Sequence, residues 1–147
     1  MRVNRHAILV HCPPAQVVPE IVTWGEAGWW PRGCLMRFIR LTDGPVAAGT
    51  RYRQQVRMPF APSWEAQVTE VTAQSITRSF LNGMFSGSET VCVREEAGAA
   101  RVTYAMTYEV RGAVNRVLWP LVLRRLHDAN IRRILENLKR HCERPLA

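Results

Sequence analysis

No run of apolar residues in this 147-residue chain approaches the roughly 20 needed to cross a bilayer as a helix. The N-terminus, MRVNRHAILVHCPP, holds only the short run AILV before a histidine and two prolines, which makes neither a membrane span nor a secretory leader. Cysteine is sparse and scattered. Cys12, Cys34, Cys92 and Cys142 form no CxxC pair and no cluster with histidine at zinc spacing, so neither a redox motif nor a metal site is expected. A reduced, cytoplasmic chain is the simpler expectation, with a disulfide between two of the four left open. The chain also lacks a glycine-rich phosphate loop, a GxSxG nucleophile elbow and an HExxH zinc pair, the usual signatures of nucleotide, acyl-transfer and zinc-peptidase chemistry. Repeats, low-complexity tracts and linkers are absent too, which points to one domain over residues 1–147, long enough for a real core. No cofactor is called for.

What the chain does have is an ordinary globular balance, 47% apolar and 22% charged residues, which argues against disorder. It carries a net charge of +8. From Ala113 onward eight Arg and Lys face three Asp and Glu, so much of the excess lies in the last quarter. That basic surface suits anionic lipid or RNA, or is simply a solvated face. It lacks the interleaved aromatics of single-strand binders, and DNA is not an expected partner.

The organising segment is Leu121–Cys142, LVLRRLHDANIRRILENLKRHC. At about 100° per residue, Leu123, Leu126, Ile131, Ile134, Leu135 and Leu138 share one broad face, and Arg125, Arg132, Arg133, Glu136, Lys139 and Arg140 share the other. His127 and Asn130 fall among the leucines. One turn apart on an inward face, they are placed to act on one ligand, and a histidine there can serve as a hydrogen-bonding group or as an acid or base near neutral pH. The alternative is a buried histidine satisfied by a backbone carbonyl, Tyr104 or Tyr108.

Before this helix, ILV-rich residues Asn4–Cys12 read as a strand buried on both sides or nearly so. Pro13 and Pro14 end it and open one or two short helical turns that Pro19 breaks or kinks, with Val17, Val18, Ile21 and Val22 inward. GEAGWWPRG follows, and its adjacent tryptophans suggest one ring in the core and the other, Trp29 or Trp30, at a rim. Strand-length runs then alternate with turn residues: CLMRFIRL, TRYRQQVRM, WEAQVTEV, SITRSFL, SETVCVRE and VTYAMTYEV. Alternation puts Tyr52 and Gln54 on one face, Trp64, Ala66, Val68 and Glu70 on another strand's face, then Ile76, Arg78 and Phe80, then Val91 and Val93, and finally Tyr104, Met106 and Tyr108. A one-residue slip would reverse every assignment. Glu70 and Arg78, costly to bury unpaired, are the residues that test it. Pro120 sits where the final helix starts or kinks.

The order strand, two short helices, about six strands, long helix is an α+β pattern with helices segregated from an antiparallel sheet. A large sheet curls by its own twist. One helix gripped against its concave side would leave a cavity.

In this order and spacing, Ile8–Val18 (ILVHCPPAQVV), Trp30-Pro31, Gly49-Thr50, Tyr104–Val110 and Asn137–Glu143 (NLKRHCE) resemble the START-like helix-grip (SRPBCC) superfamily, in particular its polyketide cyclase/dehydrase-like and lipid-transport branch. The resemblance spans nearly the whole chain. It implies a curved sheet of about seven strands around a long C-terminal helix, and a deep pocket used in the superfamily for lipids, polyketides, quinones and other largely apolar molecules. Pro19 departs from the uninterrupted first helix of many relatives, and no shared catalytic signature can be carried over. The expected ligand-binding residues are Trp30, Tyr52, Gln54, Arg78, Phe80, Tyr104, Met106, Tyr108, Leu123, His127 and Asn130. Three functions remain open: a binder of a small hydrophobic ligand, a cyclase or dehydratase using His127 with Tyr104 or Tyr108, and a basic adaptor for anionic membrane or RNA. Monomer and homodimer are equally compatible with the sequence.

Overall fold

Seven strands form one antiparallel sheet in the computed structural model, which describes residues 1–145. They are β1 (Arg2–Val10), β2 (Met36–Arg40), β3 (Arg51–Val56), β4 (Ser63–Val71), β5 (Ser75–Phe80), β6 (Phe85–Glu96) and β7 (Ala99–Val110). Their spatial order is β1-β7-β6-β5-β4-β3-β2. Strands β2 to β7 therefore run as a meander, and β1 pairs with the last strand from Arg2 opposite Tyr108 to Val10 opposite Ala100. The inward face carries Tyr52, Gln54, Trp64, Ala66, Val68, Ile76, Arg78, Val91, Val93, Val102, Tyr104, Met106 and Tyr108, all buried, as alternation requires.

Strand β1 is not buried on both sides. Asn4 and Val10 are buried and His6 and Ile8 half-buried, but Arg5 and Ala7 on the opposite face are exposed, because the convex side of the sheet has no layer over it. Glu70 is also turned outward. The pairing of β4 with β5 shifts between Val68 and Glu70, and this bulge inserts one residue into β4, so the alternation that buries Trp64, Ala66 and Val68 reverses before Glu70 is reached. Arg78, by contrast, lies inside.

A helix α1 (Pro14–Val22) follows β1 and buries Val17 and Ile21. Pro14 occupies a first-turn position where no N–H is missed. The expected break at Pro19 does not occur. In so short a helix its ring costs a single interior hydrogen bond, and burial of the helix's apolar face offsets that. In place of a second short helix, residues 23–35 form turns packed around Trp24, Trp29 and Trp30.

The C-terminal helical stretch begins earlier than Leu121. It comprises α2 (Ala113–Leu118), a π-helical turn (Trp119–Leu123) and α3 (Arg124–Cys142). Pro120 lies within the π turn, where the wider spacing, with the Arg124 N–H reaching the Trp119 carbonyl, absorbs a residue that an α-helix cannot bond. Ile131, Ile134, Leu135 and Leu138 are buried against the sheet, as the helical periodicity implies. Among the described residues no helix is long and apolar enough to cross a membrane.

Candidate functional site

Polar side chains converge inside the sheet's concave face. The Glu89 carboxylate on β6, 2% exposed, accepts hydrogen bonds from Gln54 Nε2 at 2.7 Å and from the Tyr104 hydroxyl at 2.9 Å. Gln54 Oε1 in turn accepts from Trp64 Nε1 at 2.5 Å. Arg78, fully buried, sits beside this carboxylate with Nη1 at 3.9 Å from Glu89 Oε1. Its guanidinium lies over the rings of Phe38 and Tyr52, 5.4 and 5.3 Å from their centroids, and Nη2 reaches the Trp24 carbonyl at 3.4 Å. Burial, and secondarily the charge of Glu89, holds the Tyr104 hydroxyl well above its ordinary pKa. Tyr104 therefore stays protonated and donates.

Closer to the helix, His127 is 8% exposed and packs between Tyr104 and Trp119, with ring centroids 5.8 and 5.6 Å away. Burial pushes its pKa down to about 4; the nearby Asp128 opposes this and His6 reinforces it. The imidazole is neutral at physiological pH, and its Nε2 has no hydrogen-bond partner. Arg78 Nε and Nη1 and Trp24 Nε1 also lack partners. Neither Tyr104 nor Tyr108 satisfies the histidine: Tyr104 is engaged with Glu89, and the Tyr108 hydroxyl accepts from Trp119 Nε1 at 2.8 Å. Asn130 is committed elsewhere. Its Oδ1 accepts from the Leu35 N–H at 3.3 Å and lies 3.7 Å from Cys34 Sγ, which ties α3 to the start of β2.

His127 and Asn130 lie on a cleft between sheet and helix, lined also by Met36, Trp64, Phe85, Trp119 and Leu123. Its free volume is about 30 Å³, room for no more than about two water molecules. The open cavity expected from a curled sheet is thus narrowed here to a small cleft, with the rings of Trp64, Phe85 and Trp119 in its walls. A second, wider groove of about 730 Å³ lies outside, between Trp29, Trp30, Asn137, Arg140 and His141.

Of the residues singled out from sequence, Leu123, His127 and Asn130 line the inner cleft. Gln54, Arg78 and Tyr104 form the polar network behind it; Tyr108 contacts it through Trp119. Met106 is buried with its sulfur 3.6 Å from the Tyr104 hydroxyl, and Phe80 packs on Phe85. Tyr52 points its hydroxyl to Glu26 at 3.1 Å. Trp30 faces the outer groove, its Nε1 donating to the Met36 carbonyl at 3.1 Å, and Trp29 does likewise with Glu20 at 2.9 Å. Neither tryptophan lines the inner cleft. Sequence reasoning missed Glu89, Trp64 and Trp119 as site residues. Glu89 precedes Val91 and Val93 by the same two-residue step, which was the available signal.

The described residues contain no cluster of three or more His, Cys, Asp or Glu placed to hold a metal. The four cysteines are free, and burial raises the thiols of Cys12, Cys34 and Cys142, the last to about 12. Such thiols are poor nucleophiles.

Residues 1–143 match the family model described as polyketide cyclase/dehydrase and lipid transport. No curated protein matches the sequence. Solved structures of similar fold include TTHA0849 from Thermus thermophilus, 17% identical with a TM-score of 0.71, covering 96% of this chain and 97% of that one. Also similar is the ZhuI aromatase/cyclase from Streptomyces sp. R1128, 17% identical with a TM-score of 0.70, covering 95% of this chain and 94% of that one. The protein Ara h 8.0201 is 11% identical with a TM-score of 0.70, covering 96% and 97%.

Proposed function

The chain belongs to the polyketide cyclase/dehydrase and lipid transport family, and from that premise we propose that it binds a small, largely apolar, oxygen-bearing molecule between the sheet and the C-terminal helix. The observation that carries this reading is His127, buried at the cleft with Nε2 unpartnered. Buried polar groups are nearly always paired, and a neutral imidazole meets a ligand hydroxyl or carbonyl according to its tautomer. The remaining lining, Met36, Phe85, Trp119 and Leu123, suits an apolar body.

A ligand pocket needs on the order of 300 Å³ or more, so occupation requires the cleft to widen. The segment suited to move is α2 with the π turn. Helix α2 buries no residue, so the main contact opposing displacement of the segment is the packing of Trp119 against Phe85, Tyr108 and His127. Native mass spectrometry and thermal-shift measurements over fatty acids, quinones and aromatic polyketides test the proposal. Binding of one class is expected, with His127→Phe weakening oxygenated ligands by about tenfold, the worth of one hydrogen bond to a buried group. No binding across the panel, or equal affinity in His127→Phe, contradicts it.

The unpartnered Nε2 of His127 also supports a second reading, in which it takes a proton from a bound polyketide as a general base, a weak one because burial lowers its pKa. A turnover assay with His127→Ala separates the two. Loss of turnover with retained affinity supports catalysis; equal loss of both supports binding alone.

A further inference from the structure

The cleft is covered from outside by a surface that faces away from it. Along α2 and the π turn, Val114, Val117, Leu118, Leu121 and Val122 are 70, 60, 41, 63 and 49% exposed. Val114, Val117 and Leu118 follow the i, i+3, i+4 spacing of one face of α2, and Leu121 and Val122 extend the exposed apolar run through the π turn, while Trp119 and Leu123 point to the cleft. Opposite, the β3–β4 loop, whose flanks Val56 and Pro62 line the cleft, carries the fully exposed Phe60 and the 44%-exposed Met58. Both lips of one cleft thus present apolar side chains outward.

The charge around this stripe is predominantly positive. Arg111, Arg116, Arg124 and Arg125 are exposed at its start, flank and end. Among the described residues, Arg124 and Arg125 form no ion pair, and the adjacent acid Glu109 is occupied by the N-terminal amine at 3.8 Å. A second copy seated by a two-fold axis would bring arginines against arginines. An apolar helical stripe rimmed by arginine fits instead the interface of an anionic bilayer, where side chains of this kind enter the acyl boundary and the guanidinium groups meet headgroup phosphates.

We propose that the α2–π-turn stripe, with Phe60 and Met58 across the cleft, docks this protein on anionic lipid membranes. The surface takes in Arg124 and Arg125 at the start of α3 but not Arg132, Arg133 or Arg140 farther along that helix, and the proposal does not depend on what the cleft holds.

The test is flotation of the full chain with vesicles of phosphatidylcholine alone and of phosphatidylcholine mixed with phosphatidylglycerol, at low and high salt. Binding is expected for the mixed vesicles only and should weaken as salt rises. Val117→Asp with Leu121→Asp should reduce it by about tenfold or more, given the apolar area withdrawn. Arg124→Gln with Arg125→Gln should reduce it by roughly fivefold per charge and flatten the salt dependence. All four positions are exposed, so an unchanged melting temperature is expected to accompany each loss; Phe60→Ser on the separate loop gives an independent variant of the same face. Absence of vesicle binding overturns the proposal, as does binding indifferent to all three variants. Sedimentation velocity in the same buffers supplies the remaining contrary result: a dimer abolished by Val117→Asp with Leu121→Asp, without vesicle binding, would make the stripe a subunit interface.

Discussion

Glu89 and Arg78 hold the interior together as a unit, and neither is tolerable alone. Removing one partner of a buried ion pair leaves an uncompensated charge. Glu89→Leu is therefore expected to lower unfolding free energy by about 3–5 kcal/mol in urea titration, and Arg78→Met combined with Glu89→Leu to recover only part of the loss, since Gln54 and Tyr104 still lack their acceptor. A single-variant cost below about 1 kcal/mol would mean that the pair is solvated. His127 gives a pH signature. Its pKa is about 4 in the folded protein against an ordinary 6.5, so between these values the unfolded chain binds a proton that the native protein refuses. Its stabilising contribution is whole above pH 6.5, declines as pH falls through that window and is spent below about pH 4. Denaturant curves from about pH 7 to 4 should show wild type losing about 3 kcal/mol more than His127→Gln, since one pKa unit is worth 1.36 kcal/mol. Parallel curves would contradict burial of the imidazole. The position of His127 on the inner face followed from helical periodicity. Its lack of a partner did not, because hydrogen bonding depends on where Tyr104 and Tyr108 send their hydroxyls, and Glu89 and Trp119 claim them.

Among the elements, the β6–β7 hairpin allows the least change. Gly87, at φ +121°, would place an added Cβ 2.0 Å from the Thr107 carbonyl oxygen across the strand pair. Gly87→Ala should destabilise by about 3 kcal/mol or more through combined backbone strain and overlap, measurable as a lowered denaturation midpoint; a neutral effect would require the strands to be further apart. The α2–π-turn segment is the opposite case. With so little of it buried, its amide hydrogens should exchange at least about 100-fold faster than those of β7 in hydrogen-exchange mass spectrometry. Matching protection would refute its role as the moving wall of the cleft. The strands themselves were legible because one wet face leaves a clean period of two, as in Tyr52, Gln54 and Val56. The β4 bulge and the onset of the last helix were not. A bulge is visible only in pairing with β5, and the apolar stripe of α2 is amphipathic toward solvent, so the usual expectation that apolar faces point inward gave no helix start there.

For the whole molecule, the α+β arrangement and the C-terminal helix on a seven-stranded sheet follow from element order, since one long amphipathic helix and one half-wet sheet have few ways to cover each other. Whether the space between them stays open does not follow from order. It depends on how far the aromatic rings of β4, β6 and the π turn reach, and here Trp64, Phe85 and Trp119 leave about 30 Å³. The five tryptophans divide by location: Trp64 and Trp119 line the inner cleft, Trp29 and Trp30 the outer groove, and Trp24 lies buried between. Their indole N–H signals in a proton–nitrogen correlation spectrum report directly on where a ligand enters. On titration with a ligand selected by thermal shift, the Trp64 and Trp119 indole signals should move with occupancy while those of Trp29 and Trp30 stay in place. Movement confined to Trp29 and Trp30 would put the ligand in the outer groove and contradict binding between sheet and helix.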